Sequence, residues 1–273
     1  MADKSAIEWT DATWNPVAGC SLVSPGCTNC YAMAMASRIE RMKPDSHYAG
    51  TTKVANGKPV WTGELKRAPN AILRRPLAWK RPRKIFVNSM SDLFHERVPV
   101  DLIDDIFAVM ALAPQHTFQI LTKRPARMRE YLTDPETPNH LESLLTIIDN
   151  PGATSLTWPL PNVWLGVTAE DQKRADERRD DFKSLAEFGW TTFVSYEPAL
   201  GPVDWMGWEF VRQIIFGDES GPNSRPPHPQ WARDTRDFCD DAGVAFFMKQ
   251  MRIDGKLIKD IDSFPIDLQV REF

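Results

Sequence analysis

Three of the four cysteines in this 273-residue chain, Cys20, Cys27 and Cys30, fall within eleven residues. They lie in Gly19-Cys20-Ser21-Leu22-Val23-Ser24-Pro25-Gly26-Cys27-Thr28-Asn29-Cys30-Tyr31, with six residues in the first gap and two in the second. Pro25-Gly26 supplies a turn that folds Cys20 back towards the other two, so the thiols can converge on a metal or a cluster. A structural zinc site takes four protein ligands. The fourth would have to be Cys239 or one of His47, His95, His116, His140 and His228, none at a diagnostic spacing. An iron-sulfur cluster is also held by thiolates, usually four, so three grouped cysteines imply one iron left open. Structural sites are closed, whereas reactive ones keep a position for substrate or cofactor. Cys239, in Asp237-Phe238-Cys239-Asp240-Asp241-Ala242, reads as a buried thiol near a helix end, packing as a small hydrophobe.

The rest of the chain has to position that loop. With 42% hydrophobic residues it can bury a substantial core, and one α/β domain over residues 1–273 is the simplest reading. A net charge of -4 argues against coating nucleic acid non-specifically, while leaving room for a local basic groove. Met1 to Trp14 is polar and acidic, and no run of about 18 apolar residues occurs. A cytoplasmic protein with no membrane association is therefore expected, and there grouped cysteines are more often ligands or redox groups than structural disulfides.

Residues 28–43 carry Ala32, Met33, Met35, Ala36, Ile39 and Met42 in a helical stripe that Pro44 ends, so the loop runs into a helix. Asn56-Gly57 between two β-prone runs predicts a hairpin, an insertion over that helix spanning about 44–70. Six short apolar runs then share one pattern, each closed by polar residues: 85–87, 118–121, 163–167, 192–194, 214–216 and 245–248. Helical stretches at 100–113, 125–132, 171–188 and 231–241 lie between most of them, and only the link from Tyr196 to Ile214 is expected to lack a full helix. The alternation predicts a partial (β/α) TIM-like barrel of about six parallel strands, whose reactive face is built at the strand C-termini. A second insertion is expected at about 134–162, with Pro135, Pro138, Pro151, Pro159 and Pro161 around a helix near 141–148. Pro226, Pro227 and Pro229 predict a rigid loop before the last helix.

The charged residues divide into two groups. Asp176, Glu177, Arg178 and Arg179 read as a solvated helix face. Arg74, Arg75, Lys80, Arg81, Arg83 and Lys84, with Trp79 among them, form either a solvated helix end or a phosphate-contacting patch. The polar residues closing the six runs would face one side together, as capped loops and salt bridges or as a binding surface. His95 reads as a satisfied structural histidine or a proton shuttle.

A three-cysteine loop at the start of such a fold, with Tyr31 directly after the last cysteine, resembles the radical S-adenosylmethionine superfamily, although the common first gap there is three residues. More closely, the chain resembles the phage-type three-cysteine-motif family, related to spore photoproduct lyase. The resemblance rests on Trp14-Asn15-Pro16, Cys27-x-x-Cys30-Tyr31-Ala32, Trp61-Thr62-Gly63, Asn88-Ser89-Met90-Ser91-Asp92-Leu93-Phe94-His95, Leu121-Thr122-Lys123-Arg124-Pro125, Gly166-Val167-Thr168, Ser195-Tyr196-Glu197-Pro198-Ala199-Leu200-Gly201, Gly217-Asp218-Glu219-Ser220-Gly221 and Phe246-Phe247-Met248-Lys249-Gln250.

That resemblance implies a [4Fe-4S] cluster on Cys20, Cys27 and Cys30, with S-adenosylmethionine on the open iron and a 5'-deoxyadenosyl radical as the reactive species. It implies Ser89 and Asp92 at the methionyl amino group, although the superfamily's Gly-Gly-Glu is absent, and Lys123 and Arg124 at the carboxylate. Thr168, Glu170, Ser195 and Glu197 would meet the ribose. Glu219 and Lys249 would touch ligand or close the fold with an ion pair. Expected partners are a three-cysteine-motif partner protein and a nucleic acid or nucleotide substrate. The competing expectations are a zinc-stabilised nucleic-acid-binding protein and a non-catalytic phage or mobile-element regulatory component.

Overall fold

The computed structural model describes residues 5–149, 156–221, 224–225 and 228–273. Pro151, Pro226 and Pro227 fall outside them. The chain opens with β1 (Ala12–Trp14) and β2 (Val17–Ala18), then the cysteine loop and α1 (Tyr31–Met42). The hairpin β3 (Thr52–Ala55) and β4 (Lys58–Trp61), β5 (Lys66–Arg67) and the short α2 (Asn70–Leu73) follow. Then come β6 (Lys84–Val87), α3 (Val100–Ala111), β7 (Thr117–Thr122), α4 (Pro125–Thr133), α5 (Glu136–Asp149), β8 (Val163–Thr168) and α6 (Gln172–Glu187). The last elements are β9 (Thr191–Tyr196), β10 (Gln213–Gly217), α7 (Pro229–Ala242), β11 (Ala245–Ile253) and β12 (Lys256–Ile258).

Eight strands form one sheet in the order β1-β6-β7-β8-β9-β10-β11-β12, parallel throughout except for the final antiparallel pair. All six expected runs are strands of this sheet. Ala12–Trp14 joins them as an edge strand that its three-residue length hid. The sheet is open: among the described residues no pairing joins β1 to β11 or β12. Closure into a barrel is therefore not formed. No helix connects β9 to β10, as the short Trp-rich link predicted.

Period-2 alternation sorts the strand side chains onto two faces. Ile85, Val87, Phe118, Ile120, Val163, Leu165, Val194, Ile214, Phe246 and Met248 pack in one core with the helix residues Ile103, Phe107, Met128, Phe182, Leu185 and Ala232. Alternate positions Phe86, Phe193, Ile215 and Phe247 form a second, smaller core with Trp9. Parallel strands in chain order need crossovers of one hand, which puts the helices on one face and leaves the other to be filled otherwise. Trp9 does that, its ring 4.7 Å from Phe86 and 6.0 Å from Phe193. Gly166 lets the Phe193 ring lie flat on β8, since a Cβ there would overlap the ring.

The expected hairpin forms, with Asn56 and Gly57 both at positive φ, 49° and 72°. Trp61 and Tyr48 cover Ala32, Met33 and Ala36 of α1 in a third apolar cluster that also touches Cys20 and Cys30. The basic run precedes β6 and so lies at the end of the sheet away from its strand C-termini. Trp79 is buried there against His116, with the Arg83 guanidinium 4.8 Å over its ring. An indole packed into the core offers no stacking surface, which removes the aromatic half of the phosphate-patch expectation. Among the described residues no helix is long and apolar enough to cross a membrane.

Candidate functional site

One pocket lies over the strand C-termini, and all three grouped cysteines line it with Ser89, Asp92, Lys123, Arg124, Thr168, Ser195, Glu197, Glu219 and Lys249. Ile7, Trp9, Phe86 and Leu121 are among its apolar lining residues. Of the expected site residues only Glu170 does not line it, standing instead directly behind the cysteine loop. Cys239 is on α7, buried in the helix-side core far from the loop in connectivity and packing, where it has the place of an inert thiol.

The cysteine loop is fixed by three separate latches. The first is Arg124, 8% exposed, whose nitrogens donate to Glu96 at 2.8 Å, to Asp92 at 2.8 Å and to the Ser21 hydroxyl at 2.8 Å. Asp92 also accepts from Thr122 Oγ1 at 2.7 Å, so loop and strand end share one network. His95 completes it. Its Nδ1 lies 3.1 Å from the Arg97 amide, which donates to it, and 3.2 Å from Glu96 Oε2, while its Nε2 shares a hydrogen bond with Ser21 Oγ at 2.9 Å. Burial and Arg124 hold the imidazole below its usual pKa, in keeping with a neutral structural histidine.

Glu170 makes the second latch. Its carboxylate accepts from Ser24 Oγ and from Arg178 at 2.6 Å, with Lys123 Nζ 3.3 Å away. Burial alone would raise its pKa, but Lys123, Arg178 and the Ser24 hydroxyl outweigh that and hold it below the usual carboxylate value. Gly26 lies against it so closely that an added Cβ would sit 2.7 Å from Glu170 Cγ. The third latch is Glu219, which accepts from Asn29 Nδ2 at 3.1 Å and from Arg225 Nε at 3.0 Å, while Arg225 Nη2 donates to the Pro25 carbonyl at 3.0 Å. Lys249 pairs with Glu197, which also accepts from Gln250 Nε2 at 3.2 Å.

Two of these partners escaped the sequence reading. Arg178 was expected on a solvated face, but it is 5% exposed and bonds Thr168 O and Glu170. The signal was present: Ala175, Arg178, Phe182 and Leu185 follow a 3-4-3 spacing that marks the buried stripe of α6. Arg225 carries no such signal, because it belongs to a loop.

The thiols are close enough to feel one another. Burial pushes Cys20 up to about 12; Asp92, Cys30 and Cys27 add to the rise and Arg124 opposes it. Cys30 is raised by burial and by Cys27 as well, despite Lys123. Such thiols favour the protonated form unless a cationic centre shares them, and a coordinating metal deprotonates a thiol outright. A single zinc with bonds of ~2.3 Å would need its sulfurs within about 4 Å of each other. Among the described residues no group of three or more His, Cys, Asp or Glu side chains is placed to hold one metal ion. The three cysteines line one pocket.

Next to the site, Asp218 is 2% exposed and accepts the Arg252 amide at 2.6 Å. Burial raises its carboxyl to about 6. An acid whose folded pKa is raised contributes stability that is full below its unfolded value of 3.8 and is lost as pH rises through about 6. Asp218→Asn should abolish a step in unfolding free energy on the order of 3 kcal/mol between pH 4 and 7, measured by urea denaturation across that range.

Residues 4–259 match the family model described as a protein of unknown function, DUF5131, and the chain belongs to that family. No curated protein and no solved structure matches it.

Proposed function

We propose that this member of the DUF5131 family is a radical S-adenosylmethionine enzyme, with Cys20, Cys27 and Cys30 holding a [4Fe-4S] cluster and one iron open to the cofactor. The observation that carries the reading is that all three cysteines line one pocket at the C-terminal ends of parallel strands that follow one another in chain order. When bound, the cluster supplies the electron that cleaves S-adenosylmethionine to a 5'-deoxyadenosyl radical able to abstract a substrate hydrogen.

The chain's own residues divide the remaining work. Asp92, Arg124, Glu170 and Glu219 hold the cysteine loop on the strand ends through Ser21, Ser24, Pro25 and Asn29. Ser89, Lys123, Thr168, Ser195 and Glu197 line the pocket and are assigned to S-adenosylmethionine, the hydroxyls and Glu197 meeting its ribose and Lys123 its carboxylate. Trp9, Phe86 and Leu121 give the pocket part of its apolar lining.

Anaerobic reconstitution with iron and sulfide tests the assignment. About four irons and four sulfides per chain, with the EPR signal of a reduced cubane, are expected. A chain that takes up zinc alone contradicts it. The buried Trp79 of the basic run counts against the nucleic-acid half of the zinc-protein reading.

A further inference from the structure

Apolar side chains stand on two faces of α1. Ala32, Met33, Ala36 and Ile39 turn inward beneath Tyr48 and Trp61. Tyr31, Met35 and Met42 fall on the opposite side of the helix, where they are 47%, 43% and 69% exposed. A helix with apolar residues all round is ordinarily covered all round. Among the described residues no other helix exposes more than one large apolar side chain. Leu22 and Val23 of the cysteine loop are exposed as well, and they extend the same surface, because Val23 and Tyr31 line one pocket.

The charges on that face have one sign. Arg38 and Arg41 stand on it and Lys43 follows at its end, all three exposed. Among the described residues none of the three makes an ion pair. Glu40 is the one acid of α1, and it turns away to accept the Gly50 amide at 2.8 Å. α6 shows how a solvated helix of this chain differs: Lys173 and Arg174 face Glu177, Lys183 faces Glu187, and no large apolar residue within it is exposed. On a chain of net charge -4, unpaired cations beside exposed methionines depart from the rest of the surface in both charge and polarity.

Composition and charge sort the occupants that could cover this face. Tyrosine, methionine and arginine are the residues that protein interfaces concentrate, whereas helices lying in a bilayer surface present tryptophan, phenylalanine and leucine. The flexible thioether of methionine lets one surface pack against varied apolar shapes. A second copy laid on this face about a two-fold axis would bring the same patch against itself. Arg38 and Arg41 would then meet cations, since the face holds no acid to receive them.

We propose that the exposed face of α1, formed by Tyr31, Met35, Arg38 and Met42 with Arg41 at its edge, docks an acidic partner protein through an apolar stripe flanked by Asp or Glu, as on a helix laid along α1. Met35 and Met42 supply the apolar contact, and Arg38 and Arg41 the charge pairs that fix orientation. Because α1 begins directly after Cys30 and Tyr31 lines the pocket, a partner seated there borders the site. The surface belongs to the chain whether or not a cluster is bound.

The test is fluorescence anisotropy of two labelled peptides titrated with the full chain. Both are alanine-based helices of about 20 residues with a leucine stripe, flanked by glutamates in one and by lysines in the other. The acidic peptide should bind and the basic one should not. Met35→Asp should weaken that binding about tenfold, and Arg38→Glu/Arg41→Glu should reverse the preference, so that the lysine peptide binds instead. The substituted side chains are exposed, so the variants keep the fold, which circular dichroism confirms. Failure of the acidic peptide to bind overturns the proposal, as do equal binding of both peptides and binding that the substitutions leave unchanged. Light scattering and sedimentation with phosphatidylserine vesicles examine the other occupants. A dimer that Met35→Asp dissociates, or vesicle binding that it abolishes, would give the face to a second copy or to a membrane and overturn the proposal too. Iron and sulfide content should be the same in these variants as in the unsubstituted protein, so failure of the docking surface and failure of the cluster reading are told apart.

Discussion

Cys27→Ala is expected to lose the [4Fe-4S] cluster and, with it, all cleavage of S-adenosylmethionine, while the cluster-free fold melts within about 1 kcal/mol of the unsubstituted protein in the same state. The two halves of that expectation have separate physical grounds. Cys27 is only partly buried, and its thiol makes a weak 3.9 Å approach to Ser24 Oγ, so the apo fold does not depend on it. The loop around it is held by Ser21, Ser24, Pro25 and Asn29 instead. A three-thiolate site has no spare ligand, and Cys239, buried among helix residues on the other face of the sheet, cannot substitute. Iron and sulfide analysis beside a denaturant melt reads both halves. Retention of a full cluster in Cys27→Ala would remove this residue from the site.

A second large effect is expected at a residue that touches no cofactor. Gly26→Ala places a methyl 2.5 Å from Glu170 Oε1 and 2.7 Å from its Cγ. An unrestrained glutamate would swing aside, but this one is held by Arg178, Lys123 and Ser24 on a side chain with no solvent exposure. The loop must therefore lift, carrying Cys27 with it, and cluster loading should fall several-fold. Glu170→Ala makes room but strands Arg178, 5% exposed, without its counter-charge, a change that costs about 3–5 kcal/mol. The double variant Gly26→Ala/Glu170→Asp discriminates between these causes. The shorter acid keeps the charge and frees the space of one methylene, so it should recover part of the loading lost in Gly26→Ala. Loss of the same size in single and double variants would show that Glu170 is not what seats the loop.

The same contacts explain what the sequence could and could not reveal. The six main strands were legible because each is a short apolar run ended by polar residues, and Asn56-Gly57 marked its hairpin through the positive φ both residues adopt. Ala12–Trp14 was not legible, since three residues carry no periodicity and its pairing with β6 spans more than seventy positions of chain. Whether a parallel sheet closes is decided by its edges, and nothing in the runs themselves encodes that. The cysteines were legible by type and spacing. The acidic strand ends were legible as a group, but their partners were not: Glu170 and Glu219 reach across 146 and 190 positions to Ser24 and Asn29, a pairing that only the folded chain creates. Arg178 shows the intermediate case, a charge on the buried stripe of α6, where periodicity and residue type disagree and burial beside a carboxylate resolves the conflict.

These latches tie the cysteine loop down without a bound group, because each ends just beyond a different strand: β7 at Arg124, β8 at Glu170 and β10 at Glu219. Preorganisation of this kind would hold the three thiols in place before a cluster arrives, as the proposed function requires.

The most direct test of the central claim is anaerobic incubation of the reconstituted protein with dithionite and isotopically labelled S-adenosylmethionine, followed by mass spectrometry. The account predicts labelled 5'-deoxyadenosine and methionine from the unsubstituted protein and neither from Cys27→Ala. Intact S-adenosylmethionine after incubation with a protein carrying its full complement of iron and sulfide would contradict it.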